Sequence, residues 1–537
     1  MWKPKLFLFL GLLLFFSSFW LFLGRSLANL GWLILQTRET VRHLKAQEIQ
    51  HNRSTQVSHQ ETAIHLIEDW LVWYEAPDSK RVLWIAQKIY PSIEREIELV
   101  DRYAEPLRVA LNLQDRWLRI EEPFRVLVLF QNNMELRPTG GFMGSYLEME
   151  LVNGAIQTFL VEDIYSPDGQ LEGYVDAPMP IQQYLYQTGG WKLRDSNWNP
   201  DGEQAAEAVS WFFKKGGVTE PDLMVFVTLD LAQDVLDILG PVELVDYQVQ
   251  LSSQNLYQVI QTETEHEFFP GATNKRDVLG ASSRAVLRRL MEASILEWKE
   301  LFLTVDKHIQ ARDIFFWSPD PTLLAEMRRL GFTAGLEPLC VEIGRCVDPM
   351  TYLYIVEANL GINKANCCIE RQVNITLEAS SSLEDGLVTT LELQYVNTNP
   401  STPQPPKLYG GGYLNYLRIL TNNTMRCVSL VVLNQDLGCD AWNQEYLDPY
   451  QVWGVPVLIP GSDRGVVRTS FVQPIESLSD PISLFIQKQP GLRTNQYLLK
   501  VIPPEGMISV IDQVVNVNKK EFELTSPRSV MVQFIQQ

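Results

Sequence analysis

The sequence predicts a mixed α/β protein with an N-terminal transmembrane helix and helical stalk, an α/β domain, and a C-terminal β-sandwich of immunoglobulin-like type. Three observations predict it. An apolar run opens the chain, short apolar strands alternate with amphipathic helices through its middle, and alternating strands without a convincing helix fill its last part.

Residues 1–28 are the expected anchor. Lys3 and Lys5 precede an apolar run from Leu6 to Leu23, closed by Gly24 and Arg25. At about 1.5 Å per residue such a helix nearly crosses a hydrocarbon core of roughly 30 Å. A secretory signal peptide is the competing reading, because Ser26-Leu27-Ala28 passes for a small-residue cleavage site. The length of the run, and Trp20 and Trp32 at interface-like positions, favour an uncleaved single-pass anchor. The basic N-terminus then lies in the cytoplasm and the rest is extracytoplasmic, at the cell membrane. Both readings export the chain.

Residues 29–120 read as a helical stalk or packing layer. Apolar residues recur at three- and four-residue steps through Ile64, Ile67, Leu71 and Tyr74, and again through Val82, Ile85, Ile89, Ile93 and Ile97. Pro77 and Pro91 mark breaks or helix starts. His43, His51 and His59 recur every eight residues, which gives no i, i+4 pair for a metal, so they are surface histidines.

Residues 121–345 form the expected α/β domain. The run Arg125 to Phe130 is a buried strand, and the polar loop Gln131 to Gly141 follows it, where α/β proteins place sites. Ser145 to Val152 turns at Asn153-Gly154 into Ala155 to Val161, a hairpin signal. A second polar loop, Trp191 to Asp201, leads into a helix with Ala205, Ala208, Val209, Phe212 and Phe213 on one face, and Asp201 stands where a carboxylate caps free amides. A strand Leu223 to Val227, a helix to Leu239, a helix from about Ser282 to Phe302 and a strand Ile314 to Trp317 complete it.

Residues 346–537 alternate as strands, among them Tyr352 to Glu357, Ile369 to Leu377, Val388 to Val396, Tyr413 to Leu420 and Val428 to Leu433. All six cysteines follow residue 339. In an exported chain the spacings suggest Cys340 with Cys346 and Cys427 with Cys439. Cys367 and Cys368 would point to opposite faces of a strand, each simply buried.

A net charge of −20 argues against nucleic acid as a partner, because a phosphate-tracking surface needs a Lys/Arg excess. An acidic ectodomain can meet anionic surface polymers through divalent cations, but acidity also simply keeps a protein soluble. Nucleophilic hydrolysis has no support: there is no GxSxG or HExxH, and His266-Glu267 lacks the second histidine. Glu162-Asp163 has the residue types for glycosidase work, which requires a carboxylate separation that sequence does not give.

The runs RVLVLFQNNMELRPTGGFMGSYLEMEL, DSNWNPDGEQAAEAVSWFF, ANLGINKANCCIERQV, GGGYLNYLRIL and IQKQPG occur in order from about residue 124 to 495. Together they resemble a bacterial family of envelope proteins, domain-of-unknown-function family four thousand and twelve. More distantly, the α/β part resembles the LytR-CpsA-Psr family, which transfers glycopolymers from polyprenyl-pyrophosphate carriers to the cell wall. The shared order is an apolar strand, a loop with Arg137 and Thr139, a hairpin, Lys192-Leu193, a helix, Pro221 to Val227, Leu239 to Glu243, and a helix bearing Arg284.

That resemblance implies a phosphotransferase-type glycopolymer transferase acting on polyprenyl phosphate or pyrophosphate, or on a cell-surface glycan, beside the lipid bilayer. Such transfer needs cations, carboxylates and a divalent ion such as Mg2+. Arg137 and Asp195 are then the catalytic candidates, Asp195 and Asp201 the metal ligands, and Asn132, Asn133, Thr139, Asn197 and Arg284 the ligand-binding set. Where the family's second strand should end in an Arg-Asp pair, this chain has Glu162-Asp163. The alternative is a non-catalytic surface binding or scaffolding protein, in which Asp201 caps a helix, Arg137 pairs with a nearby carboxylate, and Gly140-Gly141 permits a tight turn.

Overall fold

The computed structural model describes residues 68–69, 71–89, 98, 101–106, 108–109 and 122–536, less 153–154, 187–188, 266–273, 338–349, 380–385, 403–409, 476, 478–479 and 494–495. The expected transmembrane helix and the Cys340, Cys346 pair lie outside the described residues. Among the described residues no helix is long and apolar enough to cross a membrane. The chain divides into two compact units, residues 1–124 with 150–157, and residues 125–149 with 158–537.

In the first unit a helix spans Pro77–Ile89, starting at the proline as a fixed φ and a missing N–H favour. Trp73 and Val82 are buried, with Tyr74 and Leu83 packed against them.

The second unit is mixed α/β with much β-sheet. The first sheet, which belongs to this unit except for the ends of β1, β2 and β3, has the order β3-β2-β1-β4-β7, from β1 (Phe124–Asn132), β2 (Phe142–Val152), β3 (Ala155–Asp163), β4 (Leu223–Thr228) and β7 (Ile314–Trp317). A small separate hairpin, β5 (Val242–Leu244) with β6 (Val249–Leu251), follows β4 in the chain. β1 and β4 run parallel, from Val126 opposite Leu223 to Gln131 opposite Thr228, so both end at the same edge. β7 is antiparallel to β4.

The helix Gly202–Lys215 covers one face of this sheet. Its buried Ala206, Val209, Phe212 and Phe213 follow helical spacing and meet Leu127, Leu129, Met224 and Phe226 in one core. Phe226 stacks on Phe315 with ring centroids 4.4 Å apart. On the opposite face Val126 is buried, but Val128 and Val225 are only half-buried. The apolar runs therefore reflect one tightly covered face rather than two equal ones.

From Met350 the described residues form strands and two 3-10 turns. Eight strands make one sheet and seven another. Leu353, Ile355, Leu417, Ile419, Trp453 and Val455 of the first share a core with Val373, Ile375, Leu391, Leu393, Val467 and Phe471 of the second. Side-chain alternation along each strand puts every second residue into that core. This sandwich is wider than the roughly seven to nine strands of an immunoglobulin domain, because a second set of strands after residue 481 extends both sheets. Ile482–Gln487 joins Met350–Asn359, and Gln496–Ile502 joins Ile369–Ala379, each in parallel.

Cys427 and Cys439 are bonded. Cys367 and Cys368 correct the expectation of two buried thiols: they are bonded to each other. They lie in a 3-10 turn, Ala365–Cys368, so the strand geometry that would separate them is absent.

The core predicts a large cost for Phe226→Ala, about 3–5 kcal/mol, because the vacated ring space lies between Phe315 and a helix that cannot fully collapse. Denaturant unfolding measures it.

Candidate functional site

The loop after β1 is shaped by its own backbone. Asn132 Oδ1 accepts from the Met134 amide at 3.0 Å, Phe142 N donates to Glu135 O at 2.9 Å, and Gly140 N donates to Arg137 O at 3.0 Å. These bonds turn Arg137 inward, where it is only 2% exposed.

All five N–H groups of its guanidinium are engaged. Nε and Nη2 donate to Asp195 Oδ1 at 3.2 and 2.9 Å, and Nη2 also donates to Glu135 Oε1 at 3.0 Å. Nη1 donates to Asn359 O at 2.6 Å and Leu136 O at 3.3 Å. Five is the full donor set of the side chain. Burial pushes the Glu135 carboxyl up, against the pull of Arg137.

Asp195 is fixed in turn. Tyr186 OH donates to its carboxylate, and Trp191 Nε1 donates to its backbone oxygen at 3.1 Å. Arg194 pairs with Asp168 and lies over the rings of Tyr165 and Tyr186. Burial pushes the Tyr165 hydroxyl up to about 12. Arg194, Asp168, Tyr165, Tyr186 and Glu135 were not singled out by sequence; the adjacency of Arg194 to Asp195 was the one available signal.

Thr139 and Asn197 belong to a second buried network. Thr139 Oγ1 donates to Gln131 Oε1 at 2.6 Å, and Gln131 Nε2 donates to Thr139 O at 2.8 Å. Asn197 Nδ2 reaches Thr139 Oγ1 at 2.8 Å and Gly141 O at 2.9 Å. Asn133 Nδ2 donates to Asp230 Oδ2 at 2.7 Å and to Gly491 O at 3.1 Å. Arg137 and Asp195 thus hold each other, as do Thr139 and Asn197.

A loop from the sandwich fills the remaining space. Gly491, at φ +70°, packs so closely that a Cβ there would stand 2.0 Å from Gly140 O. Its amide donates to Asp313 Oδ1 at 2.7 Å. Lys488 Nζ lies 3.2 Å from the same oxygen, and Gln489 Nε2 donates to Arg137 O at 3.2 Å and Glu357 O at 2.8 Å. Asn359 N donates to Leu136 O, and Asn366 N to Met134 O. Arg418, buried over the Trp198 ring at 4.2 Å, donates to Trp198 O at 2.9 Å, and burial brings its pKa down to about 10.

Asp201 does not join Asp195. It caps the helix, accepting from Glu203 N at 2.9 Å and Gln204 N at 3.3 Å. Among the described residues no group of three or more His, Cys, Asp or Glu could hold a metal ion. Arg284 lies elsewhere: exposed on the helix Asn274–Met291, it lines a cavity of about 250 Å3 with Leu160, Val161, Asp246, Tyr247 and Asp277.

Residues 121–264 match the family described as "Protein of unknown function (DUF4012)". No curated protein matches the chain. Among solved structures, the chain is similar to the Lin1025 protein of Listeria innocua at 14% identity, covering 39% of this chain and 77% of that one, with a TM-score of 0.23. It is similar to B. subtilis TagV at 16% identity, with 40% and 82% covered and a TM-score of 0.23. It is also similar to leukotriene A4 hydrolase of Saccharomyces cerevisiae at 9% identity, with 31% and 29% covered and a TM-score of 0.18.

Gly491→Ala forces both a left-handed alanine and a clash with Gly140 O, so it is expected to destabilise the chain by more than 1–3 kcal/mol, roughly the strain alone. Gly217→Ala, at φ +82° with open space around it, is the control and should cost only about 1 kcal/mol. Thermal unfolding of the two variants side by side checks the difference.

Proposed function

We propose that this chain, whose α/β part carries the DUF4012 match, is a membrane-anchored extracytoplasmic envelope protein that serves as a binding or scaffolding module. It keeps the element order of a LytR-CpsA-Psr-like domain without that family's transfer chemistry. One observation carries this reading: the Arg137 guanidinium is buried and every one of its donors is already used. Phosphoryl transfer needs cations free to meet charge as it moves to the leaving phosphate. Arg137 has no donor left for that task, and Asp195 is committed to it. The anchor rests on the Leu6 to Leu23 run and its flanking lysines.

A second reading is favoured by the cavity beside Arg284. Its exposed guanidinium and the apolar Leu160 and Val161 suit a phosphate joined to an isoprenoid chain, as in polyprenyl phosphate or a lipid-linked glycan. Asp246 and Asp277 are the carboxylates that line the cavity and would meet Mg2+ there.

Native mass spectrometry of the full chain, released from a bacterial membrane with and without magnesium, separates the two. The binding-module reading expects no retained polyprenyl phosphate in the wild type or in Arg284→Ala. A polyprenyl phosphate retained by the wild type and lost in Arg284→Ala contradicts it and supports the second reading.

A further inference from the structure

A titratable group sits beneath the sandwich loop and has no part in the reading above. His308, near the end of the helix Ile295–Gln310, is 3% exposed. Its Nε2 lies 3.0 Å from Asp234 Oδ2 on the helix Leu229–Leu239, and its Nδ1 lies 3.4 Å from Asp313 Oδ2 just before β7. Nδ1 makes no hydrogen bond among the described residues. A neutral imidazole has one N–H, so its other nitrogen presents a lone pair. Facing a carboxylate oxygen, that lone pair is repelled. The imidazolium removes that repulsion: it is hydrogen-bonded to Asp234 through Nε2 and stands at ion-pair distance, 3.4 Å, from Asp313 through Nδ1.

Asp313 connects this histidine to the loop. While Oδ2 faces His308, Oδ1 accepts from the Gly491 amide at 2.7 Å and from Lys488 Nζ at 3.2 Å. The charges around the imidazole are therefore Asp234 and Asp313. Each has its own cation, Lys307 at 3.6 Å from Asp234 on the histidine's own helix and Lys488 from the sandwich. Lys307 is largely exposed and Lys488 is buried. Asp234 is partly exposed and shared with Lys307, whereas Asp313 lies deeper between Lys488 and the imidazolium.

We propose that His308 and Asp313 form a pH-sensitive latch on the sandwich loop: the imidazolium fixes Asp313, which anchors Lys488 and Gly491 over the ends of β1 and β4, and losing the proton loosens that anchor. Burial opposes the charged imidazole, but Asp313 and Asp234 outweigh it and hold its pKa above the ordinary value. A histidine raised in the folded state contributes stability that is full below its unfolded value of about 6.5. That contribution is lost as pH rises through the higher folded value. The Arg137 contacts and the pairing of Arg493 Nη2 with Asp230 Oδ1 at 2.5 Å keep their charge throughout, so the loop loosens locally and the chain stays folded.

The test is amide hydrogen exchange on the full chain, read on the peptide containing Gly491 and corrected for the intrinsic pH dependence of exchange. Between about pH 6, below the ordinary histidine value, and about pH 9, protection should fall at least roughly fivefold in the wild type and less than about twofold in His308→Gln. Protection that is independent of pH in the wild type, or an equal fall in His308→Gln, overturns the proposal. Asp234→Asn keeps the imidazole but removes one carboxylate, so it should move the midpoint of the change to lower pH. An unmoved midpoint also overturns it.

Discussion

A guanidinium taken out of water must be given partners for all its donors, and the partners of Arg137 organise the whole end of the sheet around them. Glu135 and Leu136 come from its own loop, Asp195 from the loop before the Gly202–Lys215 helix, and Asn359 from the first strand of the sandwich. Removing the charge's partners would leave it buried and unpaired, so each of these segments is held in place. Gln489 extends the chain of polar contacts by bridging Arg137 O and Glu357 O. Glu357, itself buried, is held by Arg371 Nε at 2.9 Å and by Tyr413 OH at 2.6 Å in the sandwich interior. One continuous polar path thus runs from the α/β sheet into the second core.

Open α/β sheets bind ligands beyond the carboxyl ends of their parallel strands, where the loops diverge. In this chain that position is occupied by its own residues. The loop containing Lys488, Gln489 and Gly491 lies over the ends of β1 and β4, and backbone meets backbone at Gly140 and Gly491 with no room for a side chain. A surface that elsewhere would receive a substrate is spent on joining two layers. The cavity at Arg284, lined by Leu160 and Val161 of β3, lies apart from this joint.

Much of the fold was legible because it is local. The run Arg125 to Phe130, the hairpin strands, the helix capped by Asp201 and the alternation after Met350 all report which face of an element is covered. The partner across a long stretch of chain is not written in any period. Arg137 and Asn359, or Gly140 and Gly491, meet only when the sandwich docks, so sequence located the loop but not what fills it. The quoted runs that carry the family resemblance contribute Arg137, Asp195, Asn359, Asn366, Arg418 and Gln489 to this one joint, including runs beyond the matched residues 121–264. Asp195 and Asp201 lie six positions apart in a polar loop and read as a pair, yet one is turned to Arg137 and the other to the helix amides. The Cys367–Cys368 bond was missed because a strand was assumed where the chain makes a 3-10 turn.

The central claim is that Arg137 is a structural tie rather than a ligand for a moving phosphate. A double-mutant cycle with Arg137→Met and Asp195→Leu, read by equilibrium unfolding, addresses it most directly. Each single change strands a buried charge, while the double change replaces that pair by an apolar one; Glu135 loses its cation in Arg137→Met and in the double variant alike, so its cost cancels in the cycle. The account predicts that the double variant is more stable than the two single costs together imply, by about 1–3 kcal/mol. Additive costs, or a single Arg137→Met variant as stable as the wild type, would contradict it.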